Sequence, residues 1–290
     1  MNRAALVVAV IVFPLAMSAQ WPDYATPGVP KNAAGKPNLD GKAPRAADGH
    51  PDLTGVWENV GDYIGRPPRG FPEFEPVNDG QSPPVPPARP SSGGPPQATF
   101  FNIGGGFKDG LLPLKPWAAD LLKKRTDENS KDNPDAHCLP MGLMQLHLHP
   151  QPRKIIQTPG VIAIIYEANS GLRQIFTDGR PLPPRDVQPW WYGYSVGHWE
   201  GDTLVVETIG FRDDVWLDVN GSPLTNAGKM IEKYRRPTYG KLDIEVTIDD
   251  PSAYTKAFTV SVHQQIMLNI DLIEFICSEN EKSDPHLVGK

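Results

Sequence analysis

The sequence predicts a mainly β protein whose short strands form an antiparallel meander and curl into a barrel or half-barrel. Three observations predict this fold. Residues 153–278 contain short strand-like runs separated by tight turns, Gly55-Val56-Trp57 gives a strand near the front of the chain, and one segment alone has convincing helical periodicity. Because closure removes exposed strand edges, a barrel is favoured, and a two-sheet sandwich is the alternative.

About ten strands are expected from the turns and the period-two pattern. The clearest is 242–248, in which apolar residues alternate with Asp243, Glu245 and Thr247, as in a strand with one buried and one hydrated face. The predicted strands are 51–60, 153–158, 161–167, 171–177, 193–199, 203–209, 229–236, 241–249, 256–262 and 271–277.

The start of the chain resembles an export signal. Arg3 precedes an apolar stretch from Ala4 to Met17 that is followed by small residues, which predicts a cleaved signal peptide over residues 1–19. The stretch is short for a membrane span, and an uncleaved anchor is the alternative. We therefore expect a periplasmic or extracellular protein with no membrane span after cleavage.

The rest of the chain is predicted to be one domain with additions. Residues 20–50 are an extended N-terminus, residues 51–280 the barrel domain and residues 281–290 a tail. Prolines crowd residues 66–96, which excludes interior sheet or helix and predicts a long polyproline-like loop. The single convincing helix covers 116–127, where a proline suits the first turn.

Two cysteines occur in the chain, Cys138 and Cys277. In an exported protein an even pair predicts one disulfide, which would tie the segment before the strands to the last strand. Closing so long a loop is worth about 4 kcal/mol in chain-entropy models. Two buried free thiols are the alternative.

The charge limits the partners. The formal net charge is -6, and loss of Arg3 with the signal peptide makes it -7. Nucleic acids and anionic lipids both attract basic surfaces, so neither is expected as a partner.

His147-Leu148-His149 is the sharpest local motif. In an extended segment, residues two apart point to the same face, so both imidazoles could bind one metal ion. A third ligand would come from His198, Glu167 or His137. A divalent transition metal is the one cofactor that these residues suggest, and two loop histidines bonded to backbone or water are the alternative.

Charged residues near one hairpin offer acid–base chemistry. Glu167 and Arg173 would face each other if Asn169-Ser170-Gly171 formed the loop, either as a structural pair or as a ligand grip inside the barrel. Asp178, beside Arg180, ends that strand and is the preferred general base, although Asp-Gly is also a common turn. His198 and Glu167 are the other catalytic candidates.

Aromatic residues gather around the next strand. The predicted ligand-binding residues are Arg173 and Arg180 together with the aromatics Trp190, Trp191, Tyr192, Tyr194 and Trp199. Their faces and polar tips suit sugars or planar phenolics, and a packed core cluster is the alternative. Trp216 with Asp214 and Asp218 would add a second rim element or a solvated acidic turn.

The stretches PDLTGVW, CLPMG, KIIQTPG, RQIFTDGRPLP, SVGHWEGDTLVVETIGF, EKYRRP and FICSEN, in this order, resemble a large family of secreted bacterial proteins, most of them without an assigned activity. Gly55-x-Trp57 also resembles the lipocalin and calycin signature, which implies a calycin-like barrel whose closed end is plugged by the tryptophan. The length, the proline-rich insertion and the helix position differ from ordinary lipocalins, so no ligand residues are transferred.

The expected function is to bind a small, partly aromatic or glycosidic molecule in the barrel. One alternative is an enzyme on the same barrel, a lyase, isomerase or hydrolase that uses a rim carboxylate or a histidine. The other is an envelope interaction protein whose surface loops are the functional part.

Overall fold

The computed structural model of the protein describes residues 24–60, 94–107, 110–277 and 279. Within these residues nine strands form one closed barrel in sequence order, and the last strand pairs with the first. The strands are β1 Gly55–Asn59, β2 Arg153–Thr158, β3 Val161–Tyr166, β4 Leu172–Phe176, β5 Tyr194–Glu200, β6 Thr203–Ile209, β7 Lys229–Thr238, β8 Lys241–Asp249 and β9 Phe258–Met267. The predicted barrel is confirmed, and the two-sheet sandwich is excluded.

One pair of neighbouring strands is parallel, which departs from the predicted antiparallel meander. β4 and β5 run in the same direction, whereas every other neighbouring pair is antiparallel. A closed ring with an odd number of strands cannot alternate direction throughout, so one parallel pair is unavoidable. The connection 177–193 therefore runs outside the barrel from one end to the other.

The predicted last strand is wrong. β9 extends through Met267 and pairs with β8 on one side and β1 on the other. Both edges of the ring are then occupied, so the predicted strand 271–277 has no partner and forms no regular secondary structure. His263, Gln264 and Gln265 interrupt the apolar pattern of β9, which is why the sequence places the strand end too early.

The two ends of the barrel are closed differently. At the end that carries the turns 159–160 and 201–202, which we name the turn end, Trp57 is fully buried and the guanidinium of Arg236 lies 4.8 Å from its ring centroid. Arg236 also donates to the backbone oxygen atoms of Asp52 and Tyr239. The opposite end, the helix end, is covered by a short helix.

Two α-helices flank the barrel. The predicted helix is confirmed as α1, Pro116–Asp127, with its proline in the first turn. A second helix, α2, Leu143–Leu148, lies across the helix end, and all six of its residues are buried. The 3₁₀ helix Pro134–His137 lies between α1 and α2, and a second one, Ala168–Ser170, lies between β3 and β4. No helix in the described ranges has both the length and the apolarity that crossing a membrane requires.

Several predicted segments lie outside the described residues. These are the signal peptide 1–19, most of the proline-rich segment 66–96 and the tail 281–290. Of the predicted N-terminal extension, residues 24–50 form turns with isolated bridges such as Lys31 with Pro37.

The disulfide between Cys138 and Cys277 is confirmed, with the two Cα atoms 5.4 Å apart. Its second anchor is not the last strand, as the sequence suggested, but the irregular segment that follows β9. The bond therefore joins the segment between α1 and α2 to the chain that follows the barrel. It closes a loop with a sequence separation of 139 residues.

Replacing both cysteines by serine should lower the free energy of unfolding by about 2–5 kcal/mol, because the unfolded chain regains the entropy that the long closed loop removes. Denaturant unfolding followed by tryptophan fluorescence measures this loss. A reducing agent should destabilise the wild type and leave the double variant unchanged. Equal stability of the two proteins would contradict the assignment.

Candidate functional site

A buried ion pair crosses the barrel interior near the helix end. Arg173 on β4 and Glu232 on β7 both point inward and are at most 2 % exposed. Arg173 Nη1 donates to Glu232 Oε1 at 2.9 Å, and Nη2 contacts Oε2, so the pair is bidentate. Ser195 Oγ, at 3.0 and 3.1 Å, and Thr208 Oγ1, at 2.9 Å, accept further hydrogen bonds from the same guanidinium.

Helix α2 contributes His147 to this pair. His147 Nε2 lies 2.8 Å from Glu232 Oε1, and Tyr234 Oη donates to the same oxygen at 2.8 Å. Because the partner is a carboxylate oxygen, Nε2 carries the hydrogen in the neutral imidazole. His147, Arg173, Glu232 and Tyr234, which we name the interior network, thus connect α2 to β4 and β7.

Burial and charge together set the protonation of the interior network. Burial alone would raise the pKa of Glu232, but Arg173 and the hydrogen bond from His147 hold that pKa well below its usual range. Burial lowers the pKa of His147 despite the neighbouring carboxylate, and burial raises the pKa of Tyr234. At neutral pH the network therefore contains one arginine cation, one carboxylate, a neutral histidine and a neutral tyrosine.

A second buried arginine holds the end of α2. Arg153 donates to the backbone oxygen atoms of His147 at 2.6 Å and His149 at 3.0 Å, and to Asn59 Oδ1 at 3.2 Å. Asn59 Nδ2 donates to the same two backbone oxygen atoms. These bonds satisfy carbonyl groups that the end of a helix leaves open.

Large buried side chains occupy much of the barrel interior, where the sequence led us to expect a lined cavity. The largest fully buried side chains include Trp57, Tyr166 and Tyr234 together with Arg153 and Arg173, and all five point into the barrel. The side chains of the interior network are closed to solvent, and they connect the barrel wall to α2. The clefts described below lie outside the barrel.

The predicted metal site is not assembled. The segment that holds His147 is helical instead of extended, so His147 and His149 do not share a face. His147 binds Glu232, whereas His149 Nδ1 accepts from Gln151 N at 3.2 Å. In the part of the chain that the structure describes, no group of three or more His, Cys, Asp or Glu side chains is arranged to hold a metal ion.

The predicted Glu167–Arg173 pair is wrong because the loop is longer than three residues. β3 ends at Tyr166, a 3₁₀ helix follows, and Arg173 is opposite Ile164. Glu167 instead accepts from the backbone N–H of Ile273 at 3.0 Å. Arg173 does point into the barrel, but its carboxylate partner is on β7.

The three catalytic candidates each have their own partner. Asp178 is in an exposed turn at the turn end, where Arg180 binds it through two nitrogen atoms and lowers its pKa. His198 is exposed and pairs with Glu200 at 3.2 Å. Glu167 lies at the helix end, about 20 Å from the turn end along β3, so it does not share a site with Asp178.

The predicted ligand-binding aromatics are spread over the outside and the ends of the barrel. Tyr194 stacks on Phe176 and contacts Trp190, and Arg180 covers the Phe176 ring. Trp199 stacks on His50 at the turn end, with the ring centroids 4.7 Å apart.

Tyr192 is partly buried, and burial beside Asp135 raises its pKa to about 12. Of the five predicted aromatics, Trp191 alone lines a cleft with polar side chains.

That cleft, which we name the α1 cleft, has a volume of about 290 Å³. It lies between the second half of α1, the 3₁₀ helix Pro134–His137 and the loop after β6. Its walls include Arg125, Asp132, His137, Trp191, Asp214 and Trp216. A second, more open cleft of about 460 Å³ adjoins it at Asp214.

A buried turn positions the far wall of the α1 cleft. Asp218 is fully buried and accepts from the backbone N–H groups of Gly221 and Ser222, both at 2.9 Å, and of Ile103 at 2.8 Å. This excludes the solvated acidic turn for Asp218. The turn holds Trp216 beside the cleft, and its indole is almost entirely buried.

Cation–π contacts fix both tryptophans of the α1 cleft. The guanidinium carbon of Arg125 lies 4.3 Å from the Trp216 ring centroid, and that of Arg212 lies 4.3 Å from the Trp191 ring centroid. Arg212 also donates to Asp214 at 2.6 and 2.8 Å. The cleft therefore presents aromatic surface, guanidinium donors and carboxylate acceptors together.

Sequence reasoning missed Glu232, Ser195 and Thr208 inside the barrel, Arg125 in the α1 cleft and Arg212 in the adjoining cleft. A signal for Glu232 was present, since period-two alternation places it on the same face as Met230 and Tyr234. Glu232 and Arg173 both occupy inward positions on their strands. Opposite charges at two inward positions predict a buried ion pair. No local sequence pattern distinguishes Arg125 and Arg212 from other surface arginines.

Comparison of the chain with protein-family models, with curated proteins and with solved structures found no match.

Glu232→Gln should destabilise the protein by about 3–5 kcal/mol, because it leaves the buried Arg173 cation without a carboxylate. Glu245→Gln is the matched control, since Glu245 pairs with Arg235 on the outer face of the same hairpin and should cost less than about 1 kcal/mol. Denaturant unfolding at pH 7 measures both. A loss at Glu232 as small as that of the control would contradict a stabilising interior network.

Stability should fall as the pH is lowered below about 6.5, the ordinary pKa of histidine. In the folded protein, burial lowers the pKa of His147 and lowers the pKa of His149 to about 4. Below about pH 6.5 the two histidines therefore bind protons in the unfolded chain before they do so in the folded one. Each histidine should contribute about 1.4 kcal/mol per pH unit until its folded pKa is reached. The low pKa of Glu232 adds a further loss below about pH 4.5, when the unfolded carboxylate protonates.

Unfolding curves between pH 7 and 5 measure the slope. His147→Gln and His149→Gln should each reduce it, and His198→Gln, at an exposed position, should leave it unchanged. A stability that does not vary with pH in this range would contradict burial of the two imidazoles in their neutral form.

Proposed function

We propose that the protein binds a small, partly aromatic or glycosidic molecule in the α1 cleft, and that it does so in the periplasm or outside the cell. One observation carries the proposal: Trp191 and Trp216 line a cleft in which guanidinium and carboxylate groups also meet. Ligand sites combine apolar walls with a few polar groups in this way.

The size of the α1 cleft supports the same proposal. Its volume of about 290 Å³ is close to the lower bound of about 300 Å³ for small-molecule sites. That volume fits one or two rings, and Trp191 is only partly buried. An indole face and nearby carboxylates suit a ring with hydroxyl groups, since the face packs on the ring and the acids accept its hydrogen bonds.

Two other roles have less support. The enzyme has less support because the interior network is closed to solvent and Glu167 lies at the opposite end of the barrel from Asp178, so these two carboxylates do not form one acid–base site. The disulfide supports a location outside the cytoplasm, because such bonds persist in oxidising compartments.

An envelope interaction protein is the second candidate, and exposed apolar side chains favour it. Ile273, Phe275 and Ile276 are each 40–49 % exposed in the segment after β9. That segment contacts the loop after β3, where Ser170 Oγ donates to Phe275 O at 3.3 Å. Absence of any small-molecule binding in the experiment below would make this second role the better account.

Trp191→Ala should weaken binding of 4-nitrophenyl β-D-glucopyranoside, a probe with an aromatic ring and a sugar, by about tenfold, which corresponds to about 1.4 kcal/mol. The variant loses the accessible indole surface of the cleft. Isothermal titration calorimetry measures the affinity. The matched control is Trp117→Ala, at an exposed tryptophan on the first turn of α1 that is not part of the cleft.

The indole N–H signals in NMR spectra show which tryptophan the bound probe contacts. The resonance of Trp191 should shift on titration and that of Trp117 should not. Binding that Trp191→Ala leaves unchanged would contradict the α1 cleft as the site.

A further inference from the structure

The position of Arg125 in the α1 cleft identifies a class of ligand. Arg125 is in the last turn of α1, and its Nη1 donates to Gly221 O at 2.8 Å. Gly221 has a φ of +99°, and a Cβ there would clash with the Arg125 stem, so the turn needs glycine to bring the arginine so close. The guanidinium is thereby held between Trp216 and the cleft.

Arg125 forms no ion pair with a carboxylate of the described residues. No carboxylate oxygen of the described residues lies within 4.0 Å of its guanidinium nitrogen atoms. Two acids of the cleft pair with other side chains, since Glu128 pairs with Lys131 at 3.4 Å and Asp214 pairs with Arg212 at 2.6 Å. Burial lowers the pKa of Arg125 to about 10, although the charges of Asp218 and Asp132 raise it in part.

A guanidinium has five N–H donors in a planar fork, and one hydrogen bond of Arg125 to the protein occupies only part of it. A carboxylate matches the remaining geometry, and charge-assisted bonds of this kind are stronger than neutral ones. Lys124 adds a second cationic side chain at the cleft wall that favours an anion.

The acids of the cleft limit the charge of that anion. Glu128, Asp132 and Asp214 all line the cleft, so a dianion such as a phosphate monoester would be repelled by three carboxylates. A monoanion is repelled less, and it meets an arginine that forms no direct ion pair with a described carboxylate. The partly buried Trp191 ring then packs against an apolar or aromatic body.

We propose that the α1 cleft takes a small aromatic carboxylate, with the carboxylate on Arg125 and the ring against Trp191, an inference that rests on the proposed function.

Two nearly isosteric probes test this ligand class. 2-Naphthoate carries the carboxylate, and 2-naphthalenemethanol replaces it with a neutral alcohol. Calorimetry on the full protein at pH 7 and low salt should give a Kd at least about tenfold lower for the carboxylate. Added salt should reduce this difference, because the contact is between opposite charges.

Variants assign the difference to one side chain. Arg125→Gln should remove the preference for the carboxylate and leave the affinity for the alcohol within about twofold, whereas Arg125→Lys should keep part of the preference. Arg235→Gln, outside the cleft on β7, is the matched control and should change neither probe. Circular dichroism verifies that each variant is folded, and the comparison of the two probes on the wild type needs no variant.

The outcomes separate the two proposals. Equal binding of both probes by the wild type, with a shift of the Trp191 indole signal, overturns the aromatic carboxylate and leaves the proposed function standing. A preference that survives in Arg125→Gln overturns the role of Arg125. Binding of neither probe nor of the glucoside overturns both proposals.

Discussion

The buried pair of Arg173 and Glu232 is the interaction on which the rest of the structure depends. It connects β4 to β7 through the barrel interior, and Ser195 and Thr208 bind the same guanidinium from β5 and β6. Four consecutive strands are therefore held at one polar point inside an otherwise apolar core. Burying the two charges costs free energy, but leaving one of them buried without its partner costs more. Any strand register that separates Arg173 from Glu232 is therefore disfavoured.

The same pair determines how the helix end is closed. Because Glu232 binds His147, α2 has one fixed position, and Arg153 and Asn59 then satisfy its last carbonyl groups. A polar contact thus covers one end of the barrel, and Trp57 lies towards the other. The α1 cleft is on the outer surface, between α1 and the loop after β6.

Much of the fold could be predicted from the sequence because period-two alternation and turn residues are local signals. They identified eight of the nine strands near their true positions, together with α1 and the disulfide. The parallel pair β4 and β5 could not be predicted, since direction in a closed ring depends on the total number of strands. The end of β9 was misplaced because inward-facing Gln264 reads as a loop residue until Asn59 is known to be its neighbour.

The candidate site was harder to predict than the fold. Arg173 and Trp191 were identified from residue type, but their partners Glu232 and Arg212 are distant in sequence and meet them only in the closed barrel. His147 was misassigned because six residues of helix between two prolines give no clear periodicity.

The disulfide also has a mechanical consequence. Eight of the nine strands lie between Cys138 and Cys277, and β1 alone precedes them. Tension applied to the two ends of the chain would pass directly from one sulfur to the other and would load only β1 and the segments before α2. The protein could thus be pulled from its termini without most of its barrel carrying the force.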